Sequence, residues 1–330
     1  MTRIDLSIVI PFRGYEYKAS IIMDLLNQLT DNEAKINYEI IVIDSSGYIK
    51  YNHPYVRIIH LDTDIGTARN MGVNISNSNI ILFIDADCSV SRDFVNRAWE
   101  LAKEFEKEKN IGAIGGPVEC IPTKSIIQKY LDYSLFSPFP RYMKEYVSDW
   151  KTLHKKHHPN MCNLLVKKEI FMMLGGCWKD YGEDLYFLLK LLKVGYKIKY
   201  SPKLKINHVH PKKIRELMRM YFRNGKSAAK ITLTFPSSPL IYYRLMRTIS
   251  IFGPSLLIIS VYPLAVPITL FGILSTYYLF ITKSWKCAVL YPLIDVFLQI
   301  VYLLGFSLSV VRIIALRVRS WTRRLGKLYC

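Results

Sequence analysis

The chain has 330 residues, with 45 Lys and Arg against 26 Asp and Glu, which gives a formal net charge of +19. Hydrophobic residues make up 51% and charged residues 22%, which excludes a globally disordered chain and allows about two domains. The acidic residues are unevenly distributed, because Asp295 is the first one after Glu216 and none follows it. This pattern predicts a soluble N-terminal domain joined to an apolar, basic-flanked membrane region.

The N-terminal residues and the cysteines indicate a reducing, cytosolic setting. Residues 1–11 contain Asp5 and Pro11, whereas a signal peptide needs a longer apolar run, so this segment is expected to be the first strand of a non-secreted domain. None of the six cysteines forms a Cys-x-x-Cys pair, and a disulfide framework is not expected in a chain of this length.

Apolar segments in the first 90 residues predict the strands of a parallel sheet. They lie at 6–11, 39–44, 56–61 and 79–85, and helical patterns occur between them. They do not alternate apolar with polar residues, which is typical of strands covered by helices on both faces. The predicted fold class is therefore α/β.

Carboxylates follow two of these predicted strands. Asp44 ends the second strand, and Asp85 and Asp87 lie at the end of the fourth. Ligands of parallel sheets bind beyond the carboxyl ends of the strands. Two carboxylates so close together can bind one divalent cation such as Mg or Mn, although acids in a solvated loop have the same spacing.

A second acid pair and two histidines lie further along the chain. Glu183 and Asp184 begin a predicted helix, where negative charge also simply favours the helix N-terminus. His208, or with less support His210, can complete a metal site with Asp85 and Asp87; the alternative is an ordinary residue at a strand end.

Five segments, in this order, resemble the family 2 glycosyltransferases of the GT-A fold. They are Ser-Ile-Val-Ile-Pro, Ile-Asp-Ser-Ser, Gly-Thr-Ala-Arg-Asn, Asp-Ala-Asp, and Gly-Glu-Asp followed by Gly-Tyr-Lys-Ile. The resemblance covers about residues 4–210. It implies a Rossmann-like nucleotide-sugar-binding domain with a mostly parallel sheet over residues 1–211.

The resemblance also implies roles in binding the donor. Pro11, Asp44 and Arg69 would bind the nucleotide sugar, with Asp44 at the nucleoside and Arg69 at the nucleotide or diphosphate. Asp85 and Asp87 would address the ribose, the diphosphate and its metal ion.

The same resemblance makes Asp184 the general base and gives Glu183 a part in shaping the acceptor site. A sugar hydroxyl has a very high pKa, so a carboxylate must accept its proton as the new bond forms. A single base without a covalent intermediate implies inversion at the anomeric carbon. The activity implied by the resemblance is hexosyltransferase-like.

Two apolar stretches at 249–281 and 287–315 are each long enough to cross a bilayer. Basic residues flank both ends, which predicts cytosolic termini and an even number of spans, most simply two. The predicted architecture is a transmembrane hairpin over 249–315, with a kinked first helix or two half-spans as the alternative, and a basic cytosolic tail at 316–330. Asp295 is then a functional acid at membrane depth or a residue at the outer interface.

Residues 212–248 interleave basic and apolar side chains, which predicts interfacial amphipathic helices on an anionic membrane. Arg219 and Arg223, one helical turn apart, can contact a lipid phosphate or pyrophosphate. Nucleic-acid binding is the competing use of such a stripe, and the adjoining apolar stretches argue against it.

The predicted function is an inverting, metal-dependent glycosyltransferase of the cell membrane. It would transfer a sugar from a nucleotide donor to a lipid-linked glycan at the cytosolic face, in polysaccharide or glycan assembly. One alternative acceptor is a polyprenyl phosphate, which is already an anion and needs no general base, so the Glu183-Asp184 pair favours a hydroxyl. The other alternative is a non-catalytic membrane scaffold that retains the fold.

Overall fold

The computed structural model describes residues 3–14, 16–139, 144–153, 158–179, 181–242 and 265–328. The chain forms two compact units. The first comprises Met1–Asp132 and Ser137–His210, and the second comprises Tyr133–Phe136 and Pro211–Cys330.

The first unit alternates strands and helices along most of its length. Its strands are β1 (Leu6–Phe12), β2 (Tyr38–Asp44), β3 (Val56–His60), β4 (Ile80–Ile84), β5 (Cys88–Ser89), β6 (Ile111–Gly115), β7 (Val118–Cys120), β8 (Tyr146–Ser148), β9 (Asn163–Lys167), β10 (Lys197–Tyr200) and β11 (Ile206–His208). Its helices are α1 (Glu16–Thr30), α2 (Ile65–Asn74), α3 (Phe94–Ala102), α4 (Glu104–Lys107), α5 (Ile126–Tyr133), α6 (Lys168–Met173) and α7 (Glu183–Lys193).

The central sheet has eight strands in the order β3-β2-β1-β4-β9-β6-β10-β8. The pairs β3–β2, β2–β1, β1–β4 and β6–β10 are parallel, which confirms the predicted mostly parallel α/β sheet. β9 runs antiparallel to both β4 and β6, and β8 runs antiparallel to β10. A small second sheet has the order β5-β11-β7.

The four strands predicted at the N-terminal end are confirmed to within two residues at each end. β1 and β2 are buried along their whole length, as expected for continuous apolar sequence. Helix α2 lies directly on β1, because a side chain at Gly72 would overlap the side chain of Val9. This close packing sets the position of α2 over the sheet.

The second unit contains α8 (Ile214–Thr234), α9 (Ala265–Thr282) and α10 (Trp285–Leu328). α8 and α10 approach closely at two glycines. A Cβ at Gly225 would overlap the carbonyl oxygen of Tyr302, and one at Gly305 would overlap that of Phe222. The inner side of α8 therefore packs against α10, while Arg219 and Arg223 lie on its exposed side.

Asp295 lies inside this helical unit. It is 1% exposed, and it accepts a hydrogen bond from the Ser134 hydroxyl at 2.7 Å and another from the Tyr278 hydroxyl. Both donors come from the same unit, so the carboxylate is hydrogen-bonded within it. The ring of Tyr133 stacks on Tyr291 beside this group, with 6.4 Å between the ring centroids.

One helix in the described part of the chain, Trp285–Leu316, is long and apolar enough to cross a membrane. Ile268–Thr282 is a shorter apolar helix, and residues 249–264 of the predicted first span lie outside the described residues. The two-span hairpin therefore remains a prediction.

One side of α10 carries apolar side chains that are each more than half exposed: Val289, Leu293, Val296, Ile300, Leu304, Leu308 and Val311.

Replacement of Gly66 at the start of α2 by alanine is predicted to destabilise the protein. A Cβ there would overlap the backbone carbonyl of Trp178, so the helix must shift. Gly66→Ala should lower the free energy of unfolding of the full chain by about 1–3 kcal/mol, the usual cost of overpacking. Equilibrium unfolding measures this loss.

The matched control is Gly272→Ala in α9, where an added Cβ meets no atom within 4 Å. This change should be neutral or stabilise the protein by up to about 1 kcal/mol, because alanine favours a helix more than glycine does. Equal losses in the two variants would contradict the close contact at Gly66.

Candidate active site

The candidate site lies where β4, α2 and α7 of the first unit meet. Asp85 and Asp87 follow β4, Arg69 belongs to α2, and Glu183 and Asp184 form the first turn of α7. Gly182 precedes α7 with a φ of 87°, a left-handed conformation that glycine adopts without strain. The chain can therefore turn sharply and place two consecutive acids at the helix N-terminus.

Arg69 joins the two acidic motifs. Its side chain is 2% exposed, and its Nη2 donates to Asp85 Oδ1 at 2.6 Å while its Nη1 pairs with Glu183 Oε1. Burial by itself would lower the pKa of Arg69, but the two carboxylates outweigh it and raise that pKa above its usual value. The guanidinium is thus a permanent cation that joins α2 to Glu183, a residue 114 positions away from Arg69 in sequence.

The helix that carries Arg69 is fixed to the loop before α7 by a reciprocal pair of hydrogen bonds. Asn70 Nδ2 donates to the Cys177 carbonyl at 2.9 Å, and the Cys177 amide donates to Asn70 Oδ1 at 2.8 Å. Gly66 contacts the same loop at Trp178. Gly66, Arg69 and Asn70 of one sequence motif therefore act together, since all three hold α2 against the segment that leads into the acid pair.

Asp184 differs from Glu183 in its electrostatic environment. Burial of its carboxyl group and the neighbouring charge of Glu183 raise the pKa of Asp184 to about 7. The Leu185 amide donates to its Oδ1 at 2.7 Å, which opposes that rise. Glu183 is paired with Arg69, whereas Asp184 can exchange a proton near neutral pH, which is the property of a general base.

The three predicted metal ligands lie close together. Asp87 Oδ1 is 3.1 Å from His208 Nε2, and ligand atoms of Asp85, Cys162 and His208 all lie within 4.8 Å of one another. Carboxylate oxygen, imidazole nitrogen and thiol sulfur all bind divalent transition-metal ions, so this set fits a cation such as Mn²⁺. Cys162 was not predicted, because an isolated cysteine before a strand carries no signal in the sequence.

His210, the weaker candidate, lies in a different group. Ligand atoms of Cys120, Asp132 and His210 lie within 4.8 Å of one another, and His210 stacks on Phe139 with 4.8 Å between the ring centroids. The structure therefore associates His208, and not His210, with Asp85 and Asp87.

Asp44 holds the loop that follows β2. It is 1% exposed; its Oδ1 accepts bonds from Ser46 and the Gly47 amide, and its Oδ2 accepts the Ile49 amide and lies 3.1 Å from His60 Nδ1. Burial would raise the pKa of Asp44, but these hydrogen bonds outweigh it and lower that pKa. A nucleoside contact for Asp44 remains a prediction.

Pro11 is the remaining residue that was predicted to bind the nucleotide sugar. It is buried within β1 and pairs with Ile43 of β2. Trp178 and Tyr186, which the sequence did not single out, stack at 4.4 Å with an interplanar angle of 11°, and Tyr186 lies one helical turn after Glu183. This aromatic pair lies next to the acid pair in the chain, where an apolar sugar face can pack.

The buried position of Arg69 predicts a large loss of stability in Arg69→Met. The variant leaves Asp85 and Glu183 without their cation, which typically costs about 3–5 kcal/mol. Equilibrium unfolding at pH 8 should show this loss.

Arg97→Met is the control, since Arg97 pairs with Asp93 at 3.4 Å on the surface. Removal of such an exposed pair should change the free energy of unfolding by less than about 1 kcal/mol. A loss at Arg69 no larger than the loss at Arg97 would contradict the central role of the buried cation.

Comparisons with known proteins identify a similar family and two similar folds. Residues 7–171 match the sequence profile of the family described as Glycosyl transferase family 2. No curated protein matches the chain by sequence.

Two solved structures with a similar fold cover most of the chain. The mannosyltransferase PcManGT from Pyrobaculum calidifontis, in complex with GDP-Man and Mn²⁺, is 15% identical with a TM-score of 0.56, and the match covers 94% of this chain and 87% of that one. S. aureus TarS 1-349 is 13% identical with a TM-score of 0.50, and the match covers 93% of this chain and 90% of that one. At these identities the likeness establishes the fold.

Proposed function

The chain belongs to glycosyl transferase family 2, and on that basis we propose that it transfers a sugar from a nucleotide-sugar donor to a hydroxyl of a lipid-linked glycan. The observation that carries the proposal is the arrangement of Arg69, Glu183 and Asp184: Arg69 pairs with Glu183, while burial and the charge of Glu183 raise the pKa of Asp184 to about 7. The similar fold of a mannosyltransferase in complex with GDP-Man and Mn²⁺ supports the donor class.

The donor half of the reaction requires stabilisation of negative charge. As the bond to the anomeric carbon breaks, charge builds on the leaving nucleoside diphosphate. A divalent cation, Mg or Mn, held by Asp85, Asp87 and His208 would neutralise that charge. Arg69 orients Asp85, since its guanidinium lies 2.6 Å from Oδ1.

The acceptor half requires a proton acceptor. The acceptor hydroxyl loses its proton to the Asp184 carboxylate while its oxygen bonds to the anomeric carbon and the diphosphate departs. Glu183 cannot take this role as readily, because its charge is held by Arg69. One displacement without a covalent intermediate inverts the anomeric configuration.

A polyprenyl phosphate is the alternative acceptor. Its oxygen is already deprotonated, so a base with a pKa of about 7 would be superfluous and, when ionised, would repel it. The acid pair therefore favours a hydroxyl acceptor. The presence of Asp85, Asp87 and Asp184 likewise argues against a non-catalytic scaffold, which would not need these carboxylates.

The proposed location is the cytosolic face of the cell membrane, with the catalytic unit and both termini in the cytosol. The exposed apolar side of α10 supports a membrane-embedded helix, since a soluble surface rarely carries so long an apolar stripe. Arg219 and Arg223 on the exposed side of α8 are proposed contacts of a lipid phosphate or pyrophosphate.

Asp184→Asn separates the two acceptors. With a hydroxyl acceptor the transfer rate should fall by about 100-fold to 10,000-fold, the usual contribution of a general base. Donor affinity should change little. With a polyprenyl phosphate the same variant should lose much less. The wild-type kcat/KM should rise with pH through about 7, because only the ionised Asp184 accepts a proton, and the variant should lack this rise.

Asp62→Asn, an exposed acid at the surface, is the control and should keep both the rate and the pH profile. A loss of less than about tenfold with a hydroxyl acceptor would remove Asp184 as the base. Robust wild-type transfer to a simple polyprenyl phosphate would overturn the proposed acceptor.

Topology tests the proposed location. Reporter tags placed before Met1 and after Cys330 should both be found on the cytosolic side of intact cells, because basic residues flank both ends of the apolar region. A C-terminal tag accessible from outside would mean an odd number of spans and would contradict the proposed arrangement.

A further inference from the structure

Cys162 brings a sulfur atom into the group of metal-binding side chains. It is buried just before β9, and its Sγ lies 2.8 Å from Asp85 Oδ2. The donor atoms of Asp85, Cys162 and His208, from three separate segments of the first unit, all lie within 4.8 Å of one another.

Arg69 determines which oxygen of Asp85 faces this group. Its guanidinium occupies Oδ1, so Oδ2 is the oxygen that points to Cys162. Atoms bound to one cation at about 2.0–2.3 Å must lie about 3–4 Å apart. Shifts of about one ångström would therefore bring sulfur, carboxylate oxygen and imidazole nitrogen onto the same ion.

Sulfur changes which ion such a site prefers. Mg²⁺ is a hard ion that selects oxygen ligands, whereas Mn²⁺, Co²⁺ and Zn²⁺ also accept nitrogen and, with increasing affinity, sulfur. We propose that Cys162 is a ligand of the divalent cation at this site and makes the site select Co²⁺, Zn²⁺ or Mn²⁺ over Mg²⁺.

This inference rests on the proposed function, because the cation is the one that would accompany the donor diphosphate. On binding, Cys162 releases its thiol proton to solvent, and the hydrogen bond from Sγ to Asp85 Oδ2 is replaced by bonds from both atoms to the cation. The competing explanation is that Cys162 only donates a hydrogen bond to Asp85, which a serine hydroxyl would reproduce.

Cobalt provides a readout that does not depend on activity. The full-length protein in detergent is titrated with Co²⁺ alone, and the near-ultraviolet thiolate-to-cobalt charge-transfer band is recorded. The wild type should show the band and Cys162→Ser should lose it. Competition of Mn²⁺ and Mg²⁺ against Co²⁺ should show the preference for Mn²⁺ falling by about tenfold or more in Cys162→Ser.

Two matched serine variants identify the sulfur. Cys88→Ser removes another buried thiol, which lies 3.9 Å from the Cys162 carbonyl, and should keep the band. Cys120→Ser tests the separate group of Cys120, Asp132 and His210 and should also keep it. X-ray absorption of the zinc-loaded wild type needs no variant and should detect a sulfur neighbour at about 2.3 Å.

Several results would overturn the inference: no cobalt band in the wild type, a band that survives in Cys162→Ser, or a band lost in Cys120→Ser. An unchanged preference between Mn²⁺ and Mg²⁺ in Cys162→Ser would leave only the hydrogen bond to Asp85. The proposed function fails separately, since a wild type with the cobalt band and no sugar transfer contradicts only that proposal.

Discussion

The buried guanidinium of Arg69 is the interaction on which the candidate site depends. Asp85 and Glu183 come from segments far apart in sequence, and the buried guanidinium pairs with both of them. Because Arg69 satisfies both, the acids of the strand end and of the helix start share one site. The two neighbouring acids of α7 also differ in their surroundings, since Glu183 is paired with Arg69 while burial and the charge of Glu183 raise the pKa of Asp184 to about 7.

The position of Arg69 depends in turn on close packing around α2. Gly72 lets the helix lie on β1, Gly66 lets its first turn contact Trp178, and Asn70 exchanges hydrogen bonds with Cys177. The structure thus explains the Gly-Thr-Ala-Arg-Asn motif as a docking surface between a helix and a loop. Its chemical role is a consequence of that packing, because small shifts of α2 would separate the guanidinium from its carboxylates.

The second unit is stabilised in two similar ways: its helices approach closely at glycines, and its buried acid is hydrogen-bonded within the unit. Gly225 and Gly305 allow α8 and α10 to come into backbone contact. Asp295 is bonded to Ser134 and Tyr278 within this unit. A buried carboxylate with two donors specifies one arrangement of its neighbours, since any displaced partner would leave it unsatisfied. The apolar stripe on the exposed side of α10 carries no such constraint, which suits a lipid environment.

Residue order predicts the strands, the helices and the apolar C-terminal region, because local hydrophobic patterns and turn residues encode them. It also shows the two acid pairs directly. The resemblance to a family also predicted the roles of Asp184, Asp85 and Asp87, and the position of His208 at a strand end made it a candidate metal ligand. Four features appear only in the folded chain: the antiparallel direction of β9, the sulfur of Cys162 beside Asp85, the hydrogen-bond partners of Asp295, and the hydrogen bonds of Asp44 to its own loop. The first three depend on which distant segments pack together, and neither hydrophobic periodicity nor residue spacing specifies those contacts. The bonds of Asp44 are local, but they depend on the backbone path of the loop, which residue types alone do not specify.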